Sequence, residues 1–213
     1  MKIKWLDTSC FLITSSAATR IITDPFFHLF QPSNPPEGMG IRAGVEEYAD
    51  IITITHGHFD HSYVHAVKGV PRLYTGGASL DFKGISLKGV TTWHDNYGGA
   101  GRGTNSVICM QVDGIWLCHM GDYGQERLTD EQLAQIGRVD ILLTPWDTDS
   151  YSFPLLTDLN PSVVIPMHHS TVDQVKHLKG FVDLSSETSE LEFKIEQLPR
   201  EMKVYMLQKS LAS

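Results

Sequence analysis

Ile51-Ile-Thr-Ile-Thr-His-Gly-His-Phe-Asp-His61 is the stretch on which the reading of this chain turns. Its first half is an apolar, β-branched run of the kind that fits a buried strand. Its second half, from His56, packs three imidazoles and a carboxylate into six residues. Packing does not explain a buried strand that ends in four potential ligands. Neutral imidazole and carboxylate suit Zn, Mn or Fe, and a tight loop after a strand turns some side chains towards one centre and the rest towards a neighbouring one.

Outward from this stretch the chain reads as a series of short strands. The segments Lys2–Leu6, Cys10–Thr14, Arg20–Thr23, Ile85–Val90, Ser106–Val112, Ile115–His119, Asp140–Thr144, Ser162–Pro166 and Lys203–Leu207 carry the apolar alternation or short apolar runs expected of strands. Asp113-Gly114 separates two of them by two residues, a hairpin signal because both turn positions need φ > 0. That register sets Cys109 opposite Cys118 and Ile108 opposite His119. Helix signals fall between strands. Thr129-Asp-Glu-Gln132 is a capping box whose helix stops near Gly137, and Ser170-Thr-Val-Asp173 resembles another helix start. The stretch Gln31–Gly44 is Pro/Gly-rich and aperiodic, hence a loop.

With 213 residues, 41% of them hydrophobic, the chain can bury a full core, and a single domain over 1–213 is the default. Seventeen Lys and Arg are scattered among 25 Asp and Glu, giving a net charge of −8. That balance argues against nucleic acid as a partner, since neutralising phosphates takes clustered basic residues. No run approaches the roughly 20 apolar residues of a membrane span, and no basic stretch leads into an apolar signal core. The three cysteines, Cys10, Cys109 and Cys118, lack a metal-type spacing and suit a reducing compartment. A cytoplasmic location follows as the expectation, with a small-molecule substrate as partner and homo-oligomerisation left open.

The His-x-His-x-Asp-His pattern resembles the metallo-β-lactamase superfamily, and the other landmarks of that superfamily follow in chain order. Asp24, in Thr23-Asp-Pro-Phe26, matches the early aspartate that braces the metal loop. His94 matches the third histidine, Asp122 in His119-Met-Gly-Asp122 the bridging carboxylate, and His168 in Ile165-Pro-Met-His168 the last histidine. Within the superfamily these phrases look most like the L-ascorbate-6-phosphate lactonase-like branch. The resemblance implies an α+β fold, a four-layer αββα sandwich with metals at one edge between two sheets. It further implies two divalent metal ions, zinc foremost with Mn or Fe as the others. His56, His58 and His94 would hold one ion and Asp60, His61 and His168 the other, with Asp122 between them. Asp60 and Asp122 would be the catalytic carboxylates, and a metal-bridging hydroxide would attack an ester, lactone or phosphodiester bond of a small molecule. Where relatives of that branch carry a Gly-Gly turn and a Tyr after the last ligand, this chain has Pro145-Trp-Asp-Thr148 and His169.

Several residues remain open on sequence grounds. His119 could face the site, orient a ligand or fill the sheet interior. Three residues apart on a straight strand, His119 and Asp122 point to opposite faces unless the chain bends at Gly121, so His94 is preferred as the ligand. His169 should point away from its neighbour His168. His28, His65 and His177 read as surface residues. Gly98-Gly-Ala-Gly-Arg-Gly103 lacks the Gly-Lys-Ser/Thr ending of a phosphate loop and reads as a flexible loop beside His94, with Arg102 a candidate contact for an anionic substrate. Trp146, Asp147 and Tyr151 would wall the pocket. Two rivals to hydrolysis stand: an iron-dependent redox enzyme of dioxygenase type on the same fold, and a non-catalytic metal-binding protein. Diiron electron-transfer relatives replace a motif histidine by a carboxylate, whereas this chain keeps His58.

Overall fold

The computed structural model describes residues 1–26, 45–146, 152–168, 182–183 and 188–210. Two mixed β-sheets face each other. The strands are β1 (Lys2–Asp7), β2 (Cys10–Thr14), β3 (Arg20–Thr23), β4 (Ile51–Thr53), β5 (Arg72–Tyr74), β6 (Leu80–Phe82), β7 (Ile85–Trp93), β8 (Thr104–Val112), β9 (Ile115–His119), β10 (Ile141–Pro145), β11 (Val163–Met167), β12 (Val182–Asp183), β13 (Glu190–Glu192) and β14 (Lys203–Tyr205). One sheet has the order β13-β1-β2-β3-β4-β5, the other β12-β14-β11-β10-β9-β8-β7-β6.

Period-two alternation divides each strand between two clusters. Phe11 and Ile13 of β2, Ile21 of β3 and Ile51 of β4 point into the space between the sheets. There they meet Ile108 and Met110 of β8, Leu117 of β9, Leu143 of β10 and Ile165 of β11. The intervening residues point outward. On the eight-stranded sheet Cys109, Cys118, Leu142 and Val164 pack under helices α1 (Asp130–Ile136) and α2 (Ser152–Leu159). On the six-stranded sheet Leu12, Ile22 and Ile52 pack under Phe26, Val45 and Val67. Each buried aliphatic or aromatic side chain contributes about 1.5–3 kcal/mol, so the shared inner cluster dominates the stability of the sandwich.

Local signals explain the connections. Asp113 and Gly114 adopt φ of 51° and 79°, and the hairpin pairs Ile108 with His119 and Cys109 with Cys118, as the turn chemistry predicts. Thr129 caps α1 by accepting from the Gln132 amide while the Gln132 side chain returns to the Thr129 amide, and Gly137 ends the helix at φ 65°. The helix start at Ser170 and the loop Gln31–Gly44 lie outside the described residues. Among the described residues no helix is long and apolar enough to cross a membrane.

Strand direction decides where chemistry collects. Strands β3 and β4 are parallel, as are β9, β10 and β11. Because β7 and β9 are each antiparallel to β8, they run the same way. The carboxyl ends of β3 and β4 carry Asp24 and His56, and those of β7, β9 and β11 carry His94, Asp122 and His168. Strand β7 runs to Trp93, beyond the Val90 limit read from sequence, because Thr91–Trp93 pair with Thr104–Ser106. His94 is therefore set by the end of a paired strand.

Candidate metal centre

The seven residues expected to surround the metals come together at this edge. His56 Nε2 lies 3.1 Å from His58 Nδ1. The His94 ring centroid is 4.7 Å from that of His56 and 4.9 Å from that of His58. One oxygen of Asp122 lies 3.2 Å from His94 Nε2 and 3.8 Å from His56 Nε2. Its other oxygen lies 3.2 Å from His61 Nε2 and 3.8 Å from His168 Nε2, with Asp60 3.7 Å from His61 Nε2. His56, His58 and His94 form one group of donors, and Asp60, His61 and His168 a second. Asp122 stands between them.

The spacing fits cations. An ion with bonds of 2.0–2.1 Å to nitrogen or oxygen needs its donors about 3.3 Å apart if tetrahedral, and neighbouring donors closer if its coordination expands. The shortest separations here are 3.1–3.2 Å. Moreover, His61 Nε2, His94 Nε2, His168 Nε2 and Asp122 Oδ1 are buried and none makes a well-directed hydrogen bond. Orphaned buried polar atoms are costly, and four of them converging on one place call for a cation.

Residues beneath the site fix the tautomers. Asp24, fully buried, accepts from the Thr55 amide at 2.8 Å, from Thr55 Oγ1 at 2.6 Å and from His61 Nδ1 at 2.9 Å. Having donated to Asp24, Thr55 Oγ1 is left to accept from His56 Nδ1 at 3.1 Å. Both His56 and His61 thus turn Nε2 towards the site. Asp24 could be counted with His56 and His61 as a third donor group, but its oxygens are already committed to these bonds. Asp24 and His168 sit at positive φ, 37° and 56°, backbone strain of a kind that clusters at functional sites.

Electrostatics agree with a site built for positive charge. Burial, then the charge of His61, pushes the His56 pKa down to about 4, so this imidazole is neutral. Burial opposes protonation of His61 as well, yet contacts with Asp122 and Asp24 push its pKa up to about 10. Burial would raise the Asp122 carboxyl, but His61 and His94 beside it hold it far below the usual range. Without a cation, the site draws a proton onto His61 in its place.

His119 resolves as a brace. It is fully buried, its Nε2 donates to the Ser9 carbonyl at 2.8 Å, and its Nδ1 accepts from the Gly121 amide at 3.2 Å. With both nitrogens committed it orients the turn that carries Asp122, and the chain does bend at Gly121, φ 58°. Arg102 is exposed, and its amide donates to Asp95. Trp146, expected in the pocket wall, is 3% exposed and packs with Leu142, Leu155 and Val164 in the outer cluster. His65 is exposed. His28, Asp147, Tyr151, His169 and His177 lie outside the described residues.

Three contributors escaped the sequence reading. Thr55 carries three of the bonds above. Asn105, fully buried, donates to Thr92 Oγ1 and the Met120 carbonyl and accepts from the Asp122 amide at 3.1 Å. Asp95 gathers the Gly-rich loop. A buried Asn in an apolar strand is the one signal that could have been noticed.

A family model described as a β-lactamase superfamily domain matches residues 2–168. The chain belongs to the metallo-β-lactamase superfamily. Among its curated relatives in that superfamily, a protein of Thermus thermophilus called a metal-dependent hydrolase is 27% identical over 210 residues, covering 83% of this chain and 87% of its own. Another of the same description from Thermoplasma volcanium is 28% identical, covering 83% and 86%. A crystal structure from Thermotoga maritima, described as that of a Zn-dependent hydrolase of the metallo-β-lactamase superfamily, superposes with a TM-score of 0.72 at 28% identity, covering 98% of this chain and 99% of that one.

Proposed function

We propose that this chain is a dinuclear metal-dependent hydrolase acting on an ester, lactone or phosphodiester bond of a small molecule. The observation that carries the proposal is Asp122, whose two oxygens stand 3.2 Å from His94 Nε2 and from His61 Nε2, one facing each donor group. The names of the relatives point the same way. Imidazole and carboxylate donors suit zinc, with Mn or Fe the other fitting metals. When bound, two ions supply an acidified water, with a pKa of about 7, and a positive field for the charge that develops on the attacked group.

The chain's own residues do the rest. His56, His58 and His94 hold one position, and Asp60, His61 and His168 the other. Asp24 and Thr55 engage Nδ1 of His61 and His56, so each imidazole turns its Nε2 towards the site, and donation from His61 Nδ1 to Asp24 strengthens that ligand. The Asp60 side chain is 37% exposed against 14% for Asp122, so Asp60 is the carboxylate that meets the attacking water and accepts its proton. Asp122 spaces the two groups.

Metal analysis after gentle purification, joined to assays on generic ester, lactone and phosphodiester substrates, tests this reading. About two equivalents of Zn, Mn or Fe with metal-dependent hydrolysis is the expected result. A protein with no bound transition metal and no activation on adding any would sink it. Bound iron with oxygen consumption in place of hydrolysis would move the site to redox chemistry.

A further inference from the structure

The segment that follows His94 is rich in glycine, which the sequence predicts to be flexible. Its geometry is that of a closed ring. Asp95 Oδ1 accepts from the amides of Tyr97 at 2.9 Å and Gly99 at 2.8 Å, and Oδ2 from those of Gly101 at 2.9 Å and Arg102 at 2.7 Å. Positive φ at Gly98 and Gly99, 68° and 80°, lets these N–H groups converge. The ring then closes on the strand end: the Gly103 amide donates to the Gly99 carbonyl at 2.9 Å and the His94 amide to the Gly103 carbonyl at 3.1 Å. A nest of amides of this kind commonly cradles an anion, and here the chain fills it with its own carboxylate. Four amide bonds, that from Arg102 first, pull the Asp95 pKa down to about 2.

His94 is boxed from the other side by the loop of Asp122. The Gly124 amide donates to the Trp93 carbonyl at 2.9 Å, and a Cβ on Gly124 would lie 2.4 Å from the His94 carbonyl oxygen. The two loops therefore touch backbone to backbone at the end of β7. The Asp95 side chain alone gathers four amides of the His94 loop.

We propose that Asp95 is the positioning residue of His94: by tying four amides of residues 97–102 to one carboxylate it holds the backbone of His94 so that Nε2 stays aimed at Asp122. This rests on the dinuclear reading above. Asparagine at this position keeps the shape of aspartate, but its Nδ2 would face two N–H donors, so two of the four bonds become donor against donor. Asp95→Asn should therefore fail nearly as badly as Asp95→Ala, although both changes lie on the surface and leave the core intact.

The test titrates Zn against a competing chelator into metal-free wild type, Asp95→Asn and Asp95→Ala, and melts each protein without metal. One of the two equivalents should weaken by about 10–100-fold while the other stays within about twofold of wild type. The d–d spectrum of Co(II) at the weakened position should change. Variants that bind both equivalents as wild type does, or that merely melt lower with unchanged affinities, would overturn the positioning role and leave the hydrolase reading standing. Equal weakening of both equivalents would also overturn it, since His94 is the metal-type residue that the ring carries. A wild-type protein that takes up no metal overturns both.

Discussion

Replacing Gly121 with Ala puts the bend before Asp122 to a quantitative test. Its φ of 58° costs an L side chain roughly 1 kcal/mol. The added Cβ would also lie 2.3 Å from Asn105 Oδ1 and 2.6 Å from Thr55 Cβ and Oγ1. Relief to ordinary contact takes a shift of roughly 1 Å, and forced overpacking of this size costs about 1–3 kcal/mol, for a total near 2–4 kcal/mol. The displaced atoms are the ones that matter, since Asn105 Oδ1 holds the Asp122 amide and Thr55 Oγ1 holds His56. A misplacement of about 1 Å is enough to lower turnover by on the order of 100-fold. Urea unfolding of the metal-free protein measures the first effect, and metal affinity with turnover measures the second. Gly114→Ala is the control, because Gly114 has φ of 79°, a Cβ there would meet nothing within 4 Å, and the variant should lose only the conformational part. If Gly121→Ala were no less stable than Gly114→Ala and held both metals normally, the argument from close packing would be refuted.

His94→Ala should lose the metal of the first group and nearly all activity. His119→Ala should keep both metals, lose roughly 1–3 kcal/mol for each of the two backbone groups left unpaired, and slow turnover by about 10–100-fold; metal lost from His119→Ala but kept by His94→Ala would reverse the assignment. Asp60→Ala should empty chiefly the second position, which metal stoichiometry reads directly. In the metal-free protein the His61 pKa of about 10 lies above its ordinary 6.5, so its contribution to stability is full below pH 6.5 and is lost as the pH rises towards 10. Metal must displace that proton, so affinity should rise with pH near neutrality and proton release should appear in calorimetry as a dependence on buffer; a pH-independent affinity would contradict it.

The inner strands were legible because β-branched alternation is a local property. Asp113-Gly114 and the Thr129 capping box were legible for the same reason. Strands β5 and β6 have three residues each and only half-buried faces, so no period could declare them. Helix α2 has only eight residues and carries Pro154 in its first turn, too short a run to declare a helical period. The order of the metal-type residues could be read by comparison with the superfamily, but of their support only Asp24 could. Thr55 meets Asp24 across 31 residues and Asn105 meets the Met120 carbonyl across 15, and both encounters exist only once the sheets have formed. His119 shows the limit most plainly, since alternation gives its face while only the neighbouring Ser9 carbonyl decides its role.

The donor groups are divided between the sheets, His56, His58, Asp60 and His61 following β4 in one and His94, Asp122 and His168 following β7, β9 and β11 in the other. Ions shared in this way would clasp the two halves of the molecule as well as equip them. Because only the assembled sandwich offers the site, free metal at a thousandfold excess over its dissociation constant would add about 4 kcal/mol to stability. That is a large fraction of the roughly 5–15 kcal/mol that keeps a domain folded. Metal supply would then govern the survival of the polypeptide, and a cell short of metal would hold fewer copies of it rather than idle ones.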